Sequence, residues 1–215
     1  MTINKKDSNS LVHDEVYKKL RDKILYGFLW PGDVLTLRGL ASEFATSVMP
    51  VRESVRRLWS EGALKLSVSG RISIPTLNSD RFNELIRLRK IIETELVVKA
   101  MPRAHQALID RLEAINKNME DFAKLQEANL YIGANMEFHR TLYLRAQSPI
   151  MLSMLETVWL QLSPTIRFGL SENWNLLDKN EHDSILEALK KNHSENLSAL
   201  IDKDISICEN LFLLF

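Results

Sequence analysis

Apolar residues at Val12, Val16, Leu20, Ile24 and Leu25 recur at helical spacing, which predicts an amphipathic helix over residues 10–26 that ends at Gly27. The polar stretch 1–9 carries no such period and is expected as an irregular, disordered lead-in. Trp30-Pro31-Gly32-Asp33 reads as a turn. Two short helices follow, marked by Leu37, Leu40, Ala41 and Phe44, then by Val51, Val55, Leu58 and Trp59. The small polar residues Ala45, Thr46 and Ser47 separate them. Ser47 is positioned to cap the second helix through its hydroxyl, and Pro50 falls in that helix's first turn, where a missing N–H costs little. Residues 64–68 and 71–74 then alternate as strands around Ser69-Gly70, a hairpin-turn signal.

Past a short polar linker (75–79), the alternation disappears. Helical periodicity covers 80–100, 104–127, 129–147, 150–170, 173–191 and 194–213, the first with Leu85, Leu88, Ile92, Leu96 and Val97 at core spacing. Pro102 and Ser148-Pro149 break the series. Short connections and absent strands predict an all-α antiparallel bundle. The fold class is mainly α: a winged helix-turn-helix over residues 10–75, a joint at 76–79 and a helical bundle over 80–215.

A helix-turn-helix lays its second helix in the major groove of DNA. Here that helix carries Arg52, Arg56 and Arg57 away from its apolar stripe. On its own the pair would equally suit a helical hairpin with a solvated basic face. The two-stranded ribbon directly behind it, with Arg71 near the tip, makes it a winged helix-turn-helix.

Composition sharpens this picture. The chain of 215 residues is 45% hydrophobic and 26% charged, ample for packed cores and unlike a disordered protein. A single cysteine, Cys208, excludes a disulfide framework and suits a reducing compartment. Without an apolar run of about 18 residues or an apolar signal core at the start, a cytoplasmic protein with no membrane partner is expected. Net charge is zero, but residues 1–75 hold 12 Lys and Arg against 8 Asp and Glu, a net +4, and the remainder is −4. A basic reading head on an acidic body has that asymmetry.

The segments VYKKLRDKILYGFLWPGDVLTLRGLASEF and PVRESVRRLWSEGAL, followed by the ribbon, resemble the DNA-binding domain of the GntR family of bacterial transcription regulators. RLRKIIETELV from Arg87, NMEFHRTLY from Asn135 and EHDSILEAL from Glu181 make the bundle similar to the FCD-type effector domain of the FadR subfamily. The resemblance implies a dimer on a two-fold operator in double-stranded DNA. It assigns Arg38 and Arg52 to base or phosphate contact, with Ser47 and Arg56 beside them and Gly70 and Arg71 at the minor groove. Val48 and Met49 stand where the family often has Arg-Thr, which suggests apolar contact with thymine methyls.

The resemblance further implies a divalent metal in the bundle. Asn135 falls where the family has Asp, His139 and His182 match, and Asp204 falls where the family has a third His. Two imidazoles, one carboxylate and one amide oxygen suit Zn, Ni, Mn or Fe, with open positions for a small organic acid as effector. These two departures also leave a second reading, in which the bundle serves dimerisation or a metal-free ligand. Arg89 and Glu93, four apart, are either a helix-surface ion pair or an anchor in which Arg89 holds a ligand carboxylate. His193 reads as a cap or substitute ligand, and His13 and His105 as surface residues. With no nucleophile or general base near these positions and no Gly-rich phosphate loop, no catalysis is expected.

Overall fold

The computed structural model describes residues 5–26, 28–174, 181–192 and 194–212. His193 lies outside them. The head consists of α1 (Lys5–Leu25), β1 (Val34–Leu35), α2 (Leu37–Glu43), α3 (Val48–Ser60), β2 (Lys65–Leu66) and β3 (Ile72–Ser73). The first helix begins at Lys5, so it takes in residues 5–9 of the expected irregular lead-in. Its Val16, Leu20, Ile24 and Leu25 are buried and α1 packs across α3, while Val12 is exposed.

Thr36 caps α2 by accepting the Gly39 N–H at 3.0 Å. Ser47 occupies the N-cap of α3 with extended backbone, but its hydroxyl makes no cap hydrogen bond, contrary to expectation. In the turn between the two helices Ala45 adopts φ +51°, a left-handed conformation unfavourable to a Cβ. Ala45→Gly is therefore expected to stabilise the protein by about 0.5–1 kcal/mol, read as a rise in urea midpoint at constant slope.

The ribbon is three-stranded, with antiparallel order β1-β3-β2. Leu35 and Leu66 flank Ile72, whose side chain points into the core. The expected strands shrink to two residues each, and β1 is an addition. Between β2 and β3 the chain turns through Gly70 at φ +79°, and the Gly70 N–H donates to the Ser67 carbonyl at 2.9 Å.

Leu77 is buried and Asn78 caps α4 by accepting the Arg81 N–H, so the 76–79 stretch is a packed joint. Six α-helices follow among the described residues: α4 (Ser79–Ala100), α5 (Gln106–Lys124), α6 (Ala128–Tyr143), α7 (Pro149–Glu172), α8 (Glu181–Lys190) and α9 (Ser194–Phe212). Their positions follow the sequence periods except at the fifth, expected over 173–191: Asn173 caps the end of α7, residues 175–180 lie outside the described ones, and α8 is described from Glu181. His105 lies on the surface and also caps α5 through its Nδ1. α4 packs against α7 and α9, and α5 against α6 and α8.

The head rests on α7. Glu156 pairs with Arg21 of α1 at 3.2 Å and with Arg140 of α6 at 2.8 Å. Gln161 donates to the Glu61 carbonyl at 2.9 Å; a Cβ on Gly62 (φ +74°) would come within 2.9 Å of that glutamine, so only glycine permits this approach. The Ser163 hydroxyl donates to the Leu25 carbonyl. Arg167 stacks over the Trp30 ring at 3.8 Å and donates to Asn129. One apolar core runs continuously from α1 and α3 into α4 and α7.

Candidate functional site

Two regions carry candidate chemistry, one on the head and one inside the bundle. On the head, α3 buries Val51, Val55 and Leu58 against α1 and turns its other face outward. Arg52 and Arg56 are exposed on that face, and Met49 at its start is 62% exposed with Val48 half-buried beside it. Arg56 is tied to Glu53 at 3.2 Å. Arg38 on α2, Arg52 on α3 and Arg71 on the wing are all exposed, and none has a side-chain partner among the described residues. Arg57 differs: it stacks on Tyr17 at 3.6 Å and bonds Glu61, so it braces α3 against α1. Burial, with help from the Glu61 carboxylate that accepts its proton, raises Tyr17 to about 12. The structure thus gathers Arg38, Ser47, Val48, Met49 and Arg52 on the two motif helices and their turn, with Gly70 and Arg71 on the ribbon behind.

Inside the bundle, His139 from α6, His182 from α8 and Asp204 from α9 converge, all buried, with their ligating atoms within 4.8 Å of one another. His139 Nε2 lies 3.1 Å from Asp204 Oδ2 and 3.3 Å from His182 Nε2; His182 Nε2 is 3.6 Å from Asp204 Oδ1. Asn135, one turn before His139, places its side-chain amide 3.2 Å from His182 Nε2. Sequence reasoning named these four together, and the fold brings them together.

The surrounding bonds fix the imidazole of His139. Tyr143 donates its hydroxyl to Glu93 at 2.9 Å, so its oxygen accepts from His139 Nδ1 at 3.2 Å. That puts a proton on Nδ1 and turns Nε2 toward the Asp204 carboxylate. Burial pushes His182 down to about 4. Burial alone would raise Asp204, but the two imidazoles and Arg89 keep it below the usual carboxylate range. Two imidazole nitrogens and a carboxylate therefore converge on one point. A proton can serve one of these contacts, whereas a divalent cation serves all three. Ligand atoms about 2.1 Å from a shared ion sit roughly 3.0–3.5 Å apart, the spacing of His139 Nε2 from Asp204 and from His182 (3.1 and 3.3 Å). The residues fit a divalent metal.

Arg89 and Glu93 are not on the surface. Arg89 is 5% exposed and Glu93 0%, which overturns the surface-pair reading. Arg89 Nε donates to Glu93 Oε1 at 2.7 Å, and the Trp159 indole N–H donates to the same oxygen at 2.9 Å. Burial by itself would lower Arg89, but Glu93 holds it above its ordinary value. Tyr143 is raised by burial and by Glu93 beside it. Arg89 also contacts Cys208 Sγ at 3.5 Å. With Asn135, Trp159, Asp204 and Cys208 it lines a cavity beside the donor cluster. Tyr143 and Trp159 escaped the sequence reading. Only the first left a signal, at four residues from His139 on the same helix face.

A winged helical head joined to a bundle that encloses a cavity beside a buried donor cluster defines a transcription regulator with a ligand-binding domain. Residues 12–72 match the bacterial regulatory proteins of the gntR family and residues 84–206 match the FCD domain, and the chain belongs to the FCD-bearing branch of the GntR family. It is 25% identical over 201 residues to the HTH-type transcriptional regulator McbR of Escherichia coli K12, covering 90% of each chain. It is also 26% identical over 186 residues to the gluconate operon transcriptional repressor of Bacillus subtilis 168, covering 86% of this chain and 74% of the relative. The solved structure of E. coli McbR/YncC superposes with a TM-score of 0.80 at 22% identity over 93% of this chain and 97% of that one. These relatives are named regulators, and the chain is a regulator rather than an enzyme. No described helix is long and apolar enough to cross a membrane.

Proposed function

We propose that the protein binds a two-fold-symmetric operator as a cytoplasmic homodimer and represses transcription until a small carboxylate occupies the bundle. Arg38, Arg52 and Arg71, exposed around one edge of the head without partners among the described residues, are the observation that carries the DNA reading. In this arrangement α3 enters the major groove, where Arg52 offers its guanidinium to a guanine edge and Val48 and Met49 meet thymine methyls. Ser47, Arg38 and Arg56 contact phosphates, and the Gly70-Arg71 tip follows the minor groove. Repression is the mode named for the Bacillus relative.

One head makes too few contacts for specific control, so two copies act together. Exposed apolar residues on adjoining helices, Leu88, Ile91 and Val98 of α4 with Ile150 and Met154 of α7, supply a face for the second copy. In the bundle, His139, His182 and Asp204, with Asn135 turned to present its carbonyl, hold a divalent ion from the Zn, Ni, Mn and Fe group. That ion and Arg89 receive the carboxylate. Helix α7 carries the signal: it lines the cavity through Trp159, Ser163, Ile166 and Leu170 and grips the head through Glu156, Gln161 and Arg167.

Selecting bound fragments from genomic DNA yields the operator and tests the reading. A collection of fragments with no shared two-fold motif would refute it. On the selected operator, Arg52→Ala is expected to weaken binding by about 1–3 kcal/mol with the fold unchanged, read by fluorescence anisotropy alongside circular dichroism. Unaltered affinity would remove Arg52 from the reading set.

A further inference from the structure

The cavity beside the donor cluster is lined mostly by apolar side chains. Arg89, Asn135 and Asp204 supply its charged and amide groups and Tyr131 a single phenol, while Ile132, Met136, Ile166, Leu170, Ile207 and Leu211 line much of the remainder. Among the described residues no lysine and no second arginine lines it; Arg167, next to Ile166 on α7, is turned away onto Trp30. The Ser163 hydroxyl donates its proton to the Leu25 carbonyl. The space is narrow. Its volume is about 60 Å³, roughly four to six waters' worth.

Charge limits the occupant as well. Glu93 already balances Arg89, so Asp204 leaves the polar end one negative charge, and a divalent ion converts this to one positive charge. That suits one carboxylate. A second carboxylate would have to lie, unpaired, against isoleucine and leucine side chains. A chain of hydroxyls would lose its water for walls that offer few hydrogen-bond partners. Resting on the metal-and-carboxylate reading above, we infer that the effector is a slender monocarboxylate with an apolar body, and not a dicarboxylate or a sugar acid.

Three acids of one chain length separate these classes: hexanoate, hexanedioate and the six-carbon sugar acid gluconate. Each is titrated calorimetrically into the full-length protein loaded with one divalent metal, with hexanol as a carboxylate-free control. Hexanoate is expected to bind at least about tenfold tighter than the other three, the scale on which an apolar pocket separates ligands of one size. Ile166→Asn, which places an amide in the apolar wall, is expected to narrow that preference while metal content stays stoichiometric. Tighter binding of hexanedioate or gluconate, abolished by Arg89→Ala, would overturn the class assigned to the effector and leave carboxylate sensing intact. Hexanol equal to hexanoate would overturn the carboxylate itself. Failure of every compound, together with absence of bound metal, would overturn the underlying reading and this inference with it.

Discussion

Glu93→Ala is expected to lower the unfolding free energy by about 3–5 kcal/mol. The Glu93 carboxylate is completely buried and accepts hydrogen bonds from Arg89, Tyr143 and Trp159, on three different helices. Removing it strands a guanidinium whose remaining described bond is to the Cys208 sulfur, and leaves a phenol and an indole N–H without their acceptor. The cost lies in those uncompensated donors more than in the lost attraction. Replacing Arg89 and Glu93 together by leucine should accordingly recover part of the loss. Urea unfolding followed by circular dichroism measures both variants. A loss below about 1 kcal/mol for Glu93→Ala, the range of an exposed ion pair, would mean that water reaches the pair.

The second large effect concerns the donor cluster. His139→Ala and His182→Ala are each expected to weaken divalent metal binding by more than about 100-fold, beyond what loss of an outer hydrogen bond costs. Tyr143→Phe removes the bond to His139 Nδ1, along with one of the three donors to Glu93, and should cost about 10–100-fold. Elemental analysis after dialysis against a weak chelator reads all three. Stoichiometric metal retained in both alanine variants would rule out the cluster as the binding site. Metal in none of the proteins, including the parent, would favour a bundle that works without it.

The head was largely legible in the sequence because its helices are amphipathic and its turns carry Gly, Pro and small polar residues. Periodicity was less reliable at the margins of a stripe. Trp59 and Leu88 fall at helical spacing with core residues, yet Trp59 is 53% exposed and Leu88 stands on the outer face of α4. Strand β1 is two residues long, too short for alternation to register. The Arg89–Glu93 pair was left open between a helix-surface ion pair and a ligand anchor because i, i+4 spacing says nothing about depth. Burial of that pair is decided by Tyr143 and Trp159 arriving from α6 and α7. His139, His182 and Asp204 lie on three helices, so no local pattern joins them. They were grouped through family resemblance, and only folding could reveal their ligating atoms face to face.

Because α7 lines the cavity with one side and clasps the head with the other, the proposed function ties an effector in the bundle thermodynamically to an operator on the head. Whatever factor the effector takes from operator affinity, the operator must take from effector affinity. Molecules resting on DNA would then answer to a higher effector concentration than those free in solution, so the threshold at which a gene switches depends on how many operators compete for the same pool of regulator.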